Sequence, residues 1–150
     1  MSLHNIDTHK MPTLTLCTKK DVLFYSISKY YDKHPDYIEE IISPIVDGSH
    51  QLSLRFIEKF ITKYCKEKKI IIQDCNGKYV DIYNDYKNNL TSFEKEYFDL
   101  FKRNHHKIWE YQNNKYVYST LGQLNIFRWI IISGIYDYMI KNYSELSKEI

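Results

Sequence analysis

The chain has 150 residues, of which 43% are hydrophobic and 16% aromatic, and its formal net charge is only +2. This composition excludes a disordered chain and indicates a domain large enough to bury a core without disulfide bonds. The net charge by itself does not indicate nucleic-acid binding, although residues 102–150 carry seven bases and only four acids.

The N-terminal end of the chain predicts an extension that precedes one domain. Residues 1–12 are polar and lack the apolar run of a secretion signal, so we expect a flexible segment there and no export. A single globular domain is expected over residues 13–150. It begins with TLTLC at 13–17, which is typical of a short strand.

Three helices are predicted in the first half of the chain, because apolar side chains recur there at helical spacing. Thr18 is typical of a residue that caps the start of a helix, and it predicts that the first helix begins there. Pro35 suits the first turn of the second helix, and Gly48 is expected to end it. The third helix is predicted over residues 52–66.

Two hairpins are predicted from paired turn residues. Asn76-Gly77 is a strong signal for a two-residue turn, and Asn113-Asn114 predicts a second one. The segments NGKYV and NNKYV begin 37 residues apart, at Asn76 and Asn113, and the third helix has a similar counterpart at the same distance. This similarity favours a repeated unit of helix and hairpin, with a chance match in a chain rich in Tyr, Lys and Asn as the alternative.

The most apolar stretch of the chain, residues 126–140, predicts a central buried helix. Arg128 and Asp137 interrupt it, and it is shorter than the roughly 20 apolar residues that cross a bilayer, so no membrane contact is expected. Thr120 with Gln123 indicates that the helix begins at a capping box. The predicted fold is therefore α+β and mainly helical, with two β-hairpins packed around a long buried C-terminal helix.

Searches for catalytic and metal-binding patterns find none that indicates an enzyme. The chain lacks the nucleophile, phosphate-loop and zinc-protease motifs, and its four glycines make a phosphate-binding loop difficult to build. The adjacent His105 and His106 have no Cys or acid at ligand spacing, so a solvated loop is expected there. Asp81 and Asp85 form a weak candidate pair for a divalent ion, with ordinary surface charge as the alternative. We expect no cofactor, no metal and no catalytic activity, with an enzyme whose scattered catalytic residues meet only in the folded chain as the weaker alternative.

The cysteines predict a reducing compartment. Cys17, Cys65 and Cys75 are odd in number and widely spaced, which indicates free thiols. Because neither Cys65 nor Cys75 belongs to a CxxC motif, both are expected to be small residues that are buried or half-buried.

The second hairpin is the candidate binding site. A two-residue turn at Asn113-Asn114 places four aromatic rings on one face of the ribbon. One interpretation is that this face packs on the C-terminal helix as part of the core. The other is that the rings stack on the bases of a single-stranded nucleic acid while nearby cations contact phosphates. The candidate residues are Lys102, Arg103, Lys107, Trp109, Tyr111, Lys115, Tyr116 and Tyr118.

Three segments carry a resemblance to a known group of proteins. LSLRFIEKFITKYCKE at 52–67, VDIYNDYKNNLTSFEKEYFDLFKR at 80–103 and STLGQLNIFRW at 119–129 resemble small proteins encoded by giant nucleocytoplasmic DNA viruses, such as mimivirus and its relatives. This group has no assigned activity, so the resemblance supplies no catalytic residues. It implies a viral protein that acts in the viral factory of the host cytoplasm or in the virion.

Two classes of function are therefore expected for a non-enzymatic viral protein. The first is a binding module that contacts nucleic acid or a nucleoprotein complex through the basic aromatic hairpin. The alternative is a component of a protein–protein interaction or of the virion, without nucleic-acid binding. The sequence leaves the partner and the oligomeric state open.

Overall fold

The structure, a computed structural model, describes residues 4–5, 18–101, 107–112 and 114–150. These residues form helices and two small antiparallel sheets, which confirms the predicted α+β, mainly helical class. The expected flexible segment 1–12 lies outside the described residues except for His4–Asn5, which forms strand β1. The strand predicted over 13–17 also lies outside them.

Helix α1 (Lys19–Lys33) begins at Thr18, as the sequence predicts. The hydroxyl of Thr18 accepts a hydrogen bond from the backbone N–H of Asp21 at 3.2 Å, and the carboxylate of Asp21 accepts one from the N–H of Thr18 at 3.0 Å. This reciprocal pair satisfies two backbone donors that a helix otherwise leaves without partners. The capping pattern therefore fixes where α1 starts.

The next two predicted helices are present, and each contains a π-helical turn. The second consists of α2 (Pro35–Tyr37), a π-helical turn (Ile38–Ile42) and α3 (Ser43–Asp47), and it ends at Gly48 with φ 90°. The third consists of α4 (Leu54–Lys59), a π-helical turn (Phe60–Tyr64) and α5 (Cys65–Lys68). Pro35 and Gly48 thus occupy the positions that the sequence predicts for them.

The first predicted hairpin is present, but its turn is longer than two residues. Strands β2 (Ile71–Gln73) and β3 (Tyr79–Asp81) pair antiparallel, with Gln73 opposite Tyr79. Residues 74–78 lie between the strands, and Asp74 organises them because its carboxylate accepts the backbone N–H groups of Asn76 and Lys78, both at 2.9 Å. The prediction of a two-residue turn at Asn76-Gly77 is therefore wrong.

The helix that follows does not continue into a second copy of the predicted repeat. Helix α6 (Ile82–Phe93) ends before Glu94, which has φ 71°, and a short 3₁₀ helix (Lys95–Tyr97) follows. A positive φ is unfavourable inside a right-handed helix. The segment that the repeat predicts to be helical is therefore mostly 3₁₀ or irregular, so the helix of the first unit is not repeated there.

The second sheet contains the aromatic hairpin. Strands β4 (Lys107–Tyr111) and β5 (Lys115–Ser119) are antiparallel, and β1 pairs with the other side of β4, so the strand order is β1-β4-β5. Helix α1 lies against β4, which places the sheet beside the helical core.

The C-terminal helix is central and buried, but it is interrupted. Helix α7 (Leu121–Ile132) is buried at every position from Leu121 to Phe127, and it is followed by α8 (Ile135–Lys141) and α9 (Tyr143–Glu149). The prediction of one continuous helix over 126–140 is wrong because Gly134 adopts φ 87° and starts α8. In the part of the chain that the structure describes, no helix combines the length and apolarity needed to cross a membrane.

Buried polar groups fix the start of α7. The hydroxyl of Thr120 accepts the backbone N–H of Gln123 at 3.0 Å, which confirms Thr120 as the N-cap. The predicted reciprocal bond of a capping box is not formed, because the side chain of Gln123 bonds to other segments. The side chain of Gln123 is fully buried, donates to the carbonyl of Leu100 at 2.7 Å and accepts from Ser119 Oγ at 2.7 Å. Gln123 therefore joins three segments of the chain, and its buried amide oxygen and nitrogen each have a partner, as burial of polar atoms requires.

Cys65 and Cys75 are free thiols in different surroundings. Cys65 is buried, and burial raises the pKa of its thiol to about 12, with the nearby charge of Asp81 adding to the effect. Cys75 is exposed in the turn between β2 and β3, so the expectation that it is buried or half-buried is wrong.

Candidate binding surface on the aromatic hairpin

The register of the β4–β5 hairpin differs by one residue from the predicted register. Trp109 lies opposite Val117, and Tyr111 lies opposite Lys115, so residues 112–114 form the loop. Gln112 and Asn114 both have positive φ, at 52° and 66°. A shift of one residue moves every side chain of one strand to the other face.

The four aromatic rings therefore do not share one face. Trp109 and Tyr111 point inward and are each 5% exposed, whereas Tyr116 and Tyr118 point outward and are 53% and 51% exposed. The prediction of a single face with four rings is wrong. The rings are divided between the two faces because the loop has three residues instead of two.

The inward rings belong to the core. The indole N–H of Trp109 donates to the carbonyl of Ser119 at 3.0 Å, and its ring lies 5.4 Å from that of Phe24 on α1. The hydroxyl of Tyr111 donates to Glu39 Oε2 at 3.2 Å. Burial raises the pKa of Tyr111 to about 12, and the carboxylate of Glu39 adds to the increase. For these two rings the core interpretation of the sequence is confirmed.

Lys115 shares the inward side with Tyr111. Its ammonium nitrogen lies 2.9 Å from Glu39 Oε2, and the hydrogen bond from Lys115 holds the pKa of Glu39 below its usual value. A lysine that already pairs with a carboxylate on this side is poorly placed to contact a phosphate beside the outward rings. Of the cations in the predicted site, this one is therefore separated from Tyr116 and Tyr118.

The outward face presents an apolar side chain that the predicted site does not include. Ile108 is opposite Tyr118, is 48% exposed, and lies on the same face as Tyr116 and Tyr118. Glu110, opposite Tyr116, completes this face. We call Ile108, Glu110, Tyr116 and Tyr118 the outer face. The sequence signal for it is the alternation along each strand, once the loop length is known.

The remaining cations of the predicted site are not described by the structure. Lys102 and Arg103 lie outside the described residues, as do His105 and His106. The backbone of Lys107 begins β4, opposite Ser119. The structure therefore brings together only part of the predicted site, and the role of the basic segment stays a prediction.

The weak candidate for a divalent ion has a structural role. Asp81 caps α6 by accepting the backbone N–H of Asn84 at 3.2 Å, and Asp85 accepts the indole N–H of Trp129 at 2.6 Å. Within the described ranges, no group of three or more His, Cys, Asp or Glu side chains is arranged to hold a metal ion.

The comparisons with known proteins agree with the viral resemblance. Residues 7–150 match the model of a family of unknown function, DUF7197. Over 119 residues the chain is 30% identical to "Uncharacterized protein L507" of Acanthamoeba polyphaga mimivirus, and the match covers 74% of this chain. It spans 46% of the length of that relative. No solved structure matches the chain. The expected relation to an uncharacterised protein group of giant viruses is thus confirmed, and the chain belongs to the family of unknown function DUF7197.

Proposed function

We propose that the protein is a non-catalytic viral binding module and that the outer face of the β4–β5 hairpin contacts a partner protein. One observation carries the proposal. Ile108, Tyr116 and Tyr118 are each about half exposed and share one face of the β4–β5 hairpin, whose other face carries the buried side chains of Trp109, Tyr111 and Val117. Aromatic side chains are enriched at protein interfaces, where they bury a large area at a low cost in side-chain entropy.

The chemistry of the outer face favours a protein over a nucleic acid. Ile108 offers no planar ring to a base, and Glu110 carries a negative charge that repels phosphate groups. Lys115, which the sequence associates with phosphate binding, pairs with Glu39 on the opposite side. A protein partner with apolar side chains matches this face better.

The position of β5 adds a second reason. In the described part of the sheet, β5 is an outermost strand, next to β4 alone. The backbone of an outermost strand can pair with an incoming strand, and side chains beside it then set the specificity. Tyr116 and Tyr118 lie on this strand and are suitably placed for that role.

The test compares partner binding by variants of two exposed tyrosines. Tagged wild-type protein and the Tyr118→Ser variant are purified from infected host cells, and a protein recovered with the wild type is then produced pure. Calorimetry is expected to show that Tyr118→Ser weakens binding at least tenfold. Tyr25→Ser is the matched control, because Tyr25 is similarly exposed (45%) but lies on α1. Equal affinities for the wild type and Tyr118→Ser contradict the proposal.

Self-association is measured in the same samples. Light scattering of the purified wild type and Tyr118→Ser shows whether the partner is a second copy of this chain. Imaging of infected cells and analysis of purified virions test the associated prediction that the protein acts in the viral factory or the virion.

A second candidate function is contact with single-stranded nucleic acid. The observation that favours it is the spacing of Tyr116 and Tyr118, which present two exposed rings on one face of a strand. Such rings are suited to stacking on bases. The basic residues Lys102 and Arg103 precede β4 in the chain, although the structure does not describe their positions.

Fluorescence anisotropy with labelled single-stranded DNA and RNA tests this second function. It predicts binding at about 50 mM salt that weakens as salt rises, because cations released from the nucleic acid drive the association. Binding should also weaken in Lys102→Gln and in Arg103→Gln. A wild-type protein that fails to bind at this salt concentration rules the function out.

A further inference from the structure

We infer that a cavity between α1, the end of α6 and α7 binds a small phosphate monoester that carries a planar apolar group. The cavity has a volume of about 730 Å³. It lies in the range of roughly 300–1,000 Å³ that is typical of small-molecule sites. Its lining residues are separate from the hairpin, so the inference goes beyond the proposed function.

Arg128 provides the main polar group of the cavity. It projects from α7, is partly buried, and its guanidinium donates to Ser26 Oγ at 2.6 Å and to Asn125 Oδ1 at 3.1 Å. Both acceptors are neutral, and no ion pair joins Arg128 to an acid in the described residues. These two bonds orient the guanidinium and leave other N–H groups of its five to donate to an anion. A planar guanidinium binds two oxygens of a phosphate at once.

The charges around the cavity match a dianion. Lys19 and Lys20 line it at the start of α1, and Glu94 is the single carboxylate among the residues that line it. With Arg128, the lining therefore carries three positive charges and one negative charge. A phosphate monoester carries close to two negative charges at neutral pH, so it neutralises this excess better than a carboxylate.

The walls of the cavity suit a flat apolar group. Leu23 and Val22 of α1 lie on one side, and Phe93 and Tyr97 lie on the other. Apolar walls with a few convergent polar groups are the usual arrangement of a ligand site, because burial of the apolar part supplies affinity and the polar groups fix the orientation. A ligand with only a phosphate group leaves these walls without a partner.

Calorimetric titration with 1-naphthyl phosphate tests the inference. Inorganic phosphate and 1-naphthol serve as the two halves of this probe. We expect one saturable site that binds 1-naphthyl phosphate at least tenfold more tightly than either half. If inorganic phosphate binds as tightly as 1-naphthyl phosphate, only a non-selective anion site is present. If 1-naphthol binds as tightly, the site is an apolar crevice. Either result overturns the inference, and so does the absence of saturable binding.

Variants locate the site. Arg128→Gln removes the charge while keeping a donor for Ser26, and it is expected to weaken binding at least tenfold. Lys33→Gln is the control for the loss of a positive charge. Lys33 is an exposed cation in the last turn of α1, about 21 Å along the helix axis from Lys19, which lines the cavity. Unchanged affinity in Arg128→Gln contradicts the inference.

A second pair of variants keeps the test valid if Arg128→Gln does not fold. Val22 lines the cavity but is 60% exposed, so substitutions there should leave the fold intact. Val22→Glu is expected to weaken binding by charge repulsion several-fold more than the neutral Val22→Gln does. Equal affinities in these two variants overturn the inference. Tyr118→Ser should bind the probe like the wild type, which separates this site from the proposed partner surface.

Discussion

The ammonium nitrogen of Lys115 lies 2.9 Å from Oε2 of Glu39, the same oxygen that accepts the hydroxyl of Tyr111. Tyr111 and Lys115 are directly opposite each other in the hairpin, so both reach one carboxylate from the same side. With a two-residue turn at Asn113-Asn114, they would instead point to opposite sides. This shared carboxylate is therefore a direct consequence of the three-residue loop, and the loop decides which rings are buried.

The fluorescence of Trp109 tests this register. In a Trp129→Phe background, Trp109 is the only tryptophan, and the structure places it 5% exposed with its N–H bonded to Ser119. We expect a blue-shifted emission that acrylamide quenches weakly. Adding Tyr118→Trp should introduce a strongly quenched component, because that position is 51% exposed. Strong quenching of Trp109 alone contradicts the register.

Removal of a buried hydroxyl should lower stability. Tyr31 is completely buried on α1, and its hydroxyl donates to the carbonyl of Leu124 on α7 at 2.7 Å. We expect Tyr31→Phe to lower the free energy of unfolding by about 1 kcal/mol, the typical net value of one hydrogen bond. Urea denaturation measures the change. The matched control is Tyr25→Phe, at an exposed position on the same helix, which should change it by less than about 0.5 kcal/mol.

A methyl group at Gly122 should destabilise the fold. A Cβ atom there would lie 2.5 Å from the carbonyl oxygen of Glu96, so the 3₁₀ segment and α7 would have to separate. We expect Gly122→Ala to lower the free energy of unfolding by about 1–3 kcal/mol, as overpacking does. Ser147→Ala on the exposed side of α9 is the control for alanine in a helix. A Gly122→Ala protein as stable as the wild type would show that the two segments are not in contact.

His50 should make stability depend on pH. Its Nδ1 accepts the backbone N–H of Leu52 at 2.9 Å, and its Nε2 lies 2.9 Å from the hydroxyl of Tyr136. Burial lowers the pKa of His50 below 6.5, because the charged ring is poorly solvated there. The unfolded chain then binds a proton more readily than the folded chain. The contribution of the neutral His50 ring to the free energy of unfolding is therefore fully present above pH 6.5 and is lost as pH falls below it. The loss levels off below the folded-state pKa.

Urea denaturation of the wild type and His50→Gln between pH 5 and pH 8, a range of about three units around the ordinary pKa of histidine, measures this effect. We expect the difference in unfolding free energy between the two proteins to shrink as pH falls through the lower half of that range. A difference that grows on acidification has the wrong sign and contradicts the assignment of a neutral ring.

Local signals in the sequence predicted local structure well. The caps at Thr18 and Thr120 depend on side chains three residues or fewer away, and both helices start where these residues indicate. The stop at Gly48 is equally local. Fold class and the burial of α7 follow from apolar patterns of the same kind.

Features that depend on one extra turn residue or on distant contacts were not predictable. Asn113-Asn114 is compatible with both loop lengths, and the choice between them depends on inward contacts such as that of Lys115 with Glu39, which lies 76 residues earlier in the chain. The break at Gly134 and the cavity beside Arg128 likewise arise where separate segments meet. The spacing of residues within one segment does not predict such contacts between segments.

The odd number of residues in the 112–114 loop restricts how this hairpin can vary during evolution. Losing or gaining one residue there would turn over one strand relative to the other: either the indole of Trp109 would point outward into water, or Tyr116 and Tyr118 would point inward onto the helices. Homologues that keep the same partner are therefore expected to change the length of the 112–114 loop only by two residues at a time, or to compensate for a one-residue change with a bulge in a neighbouring strand.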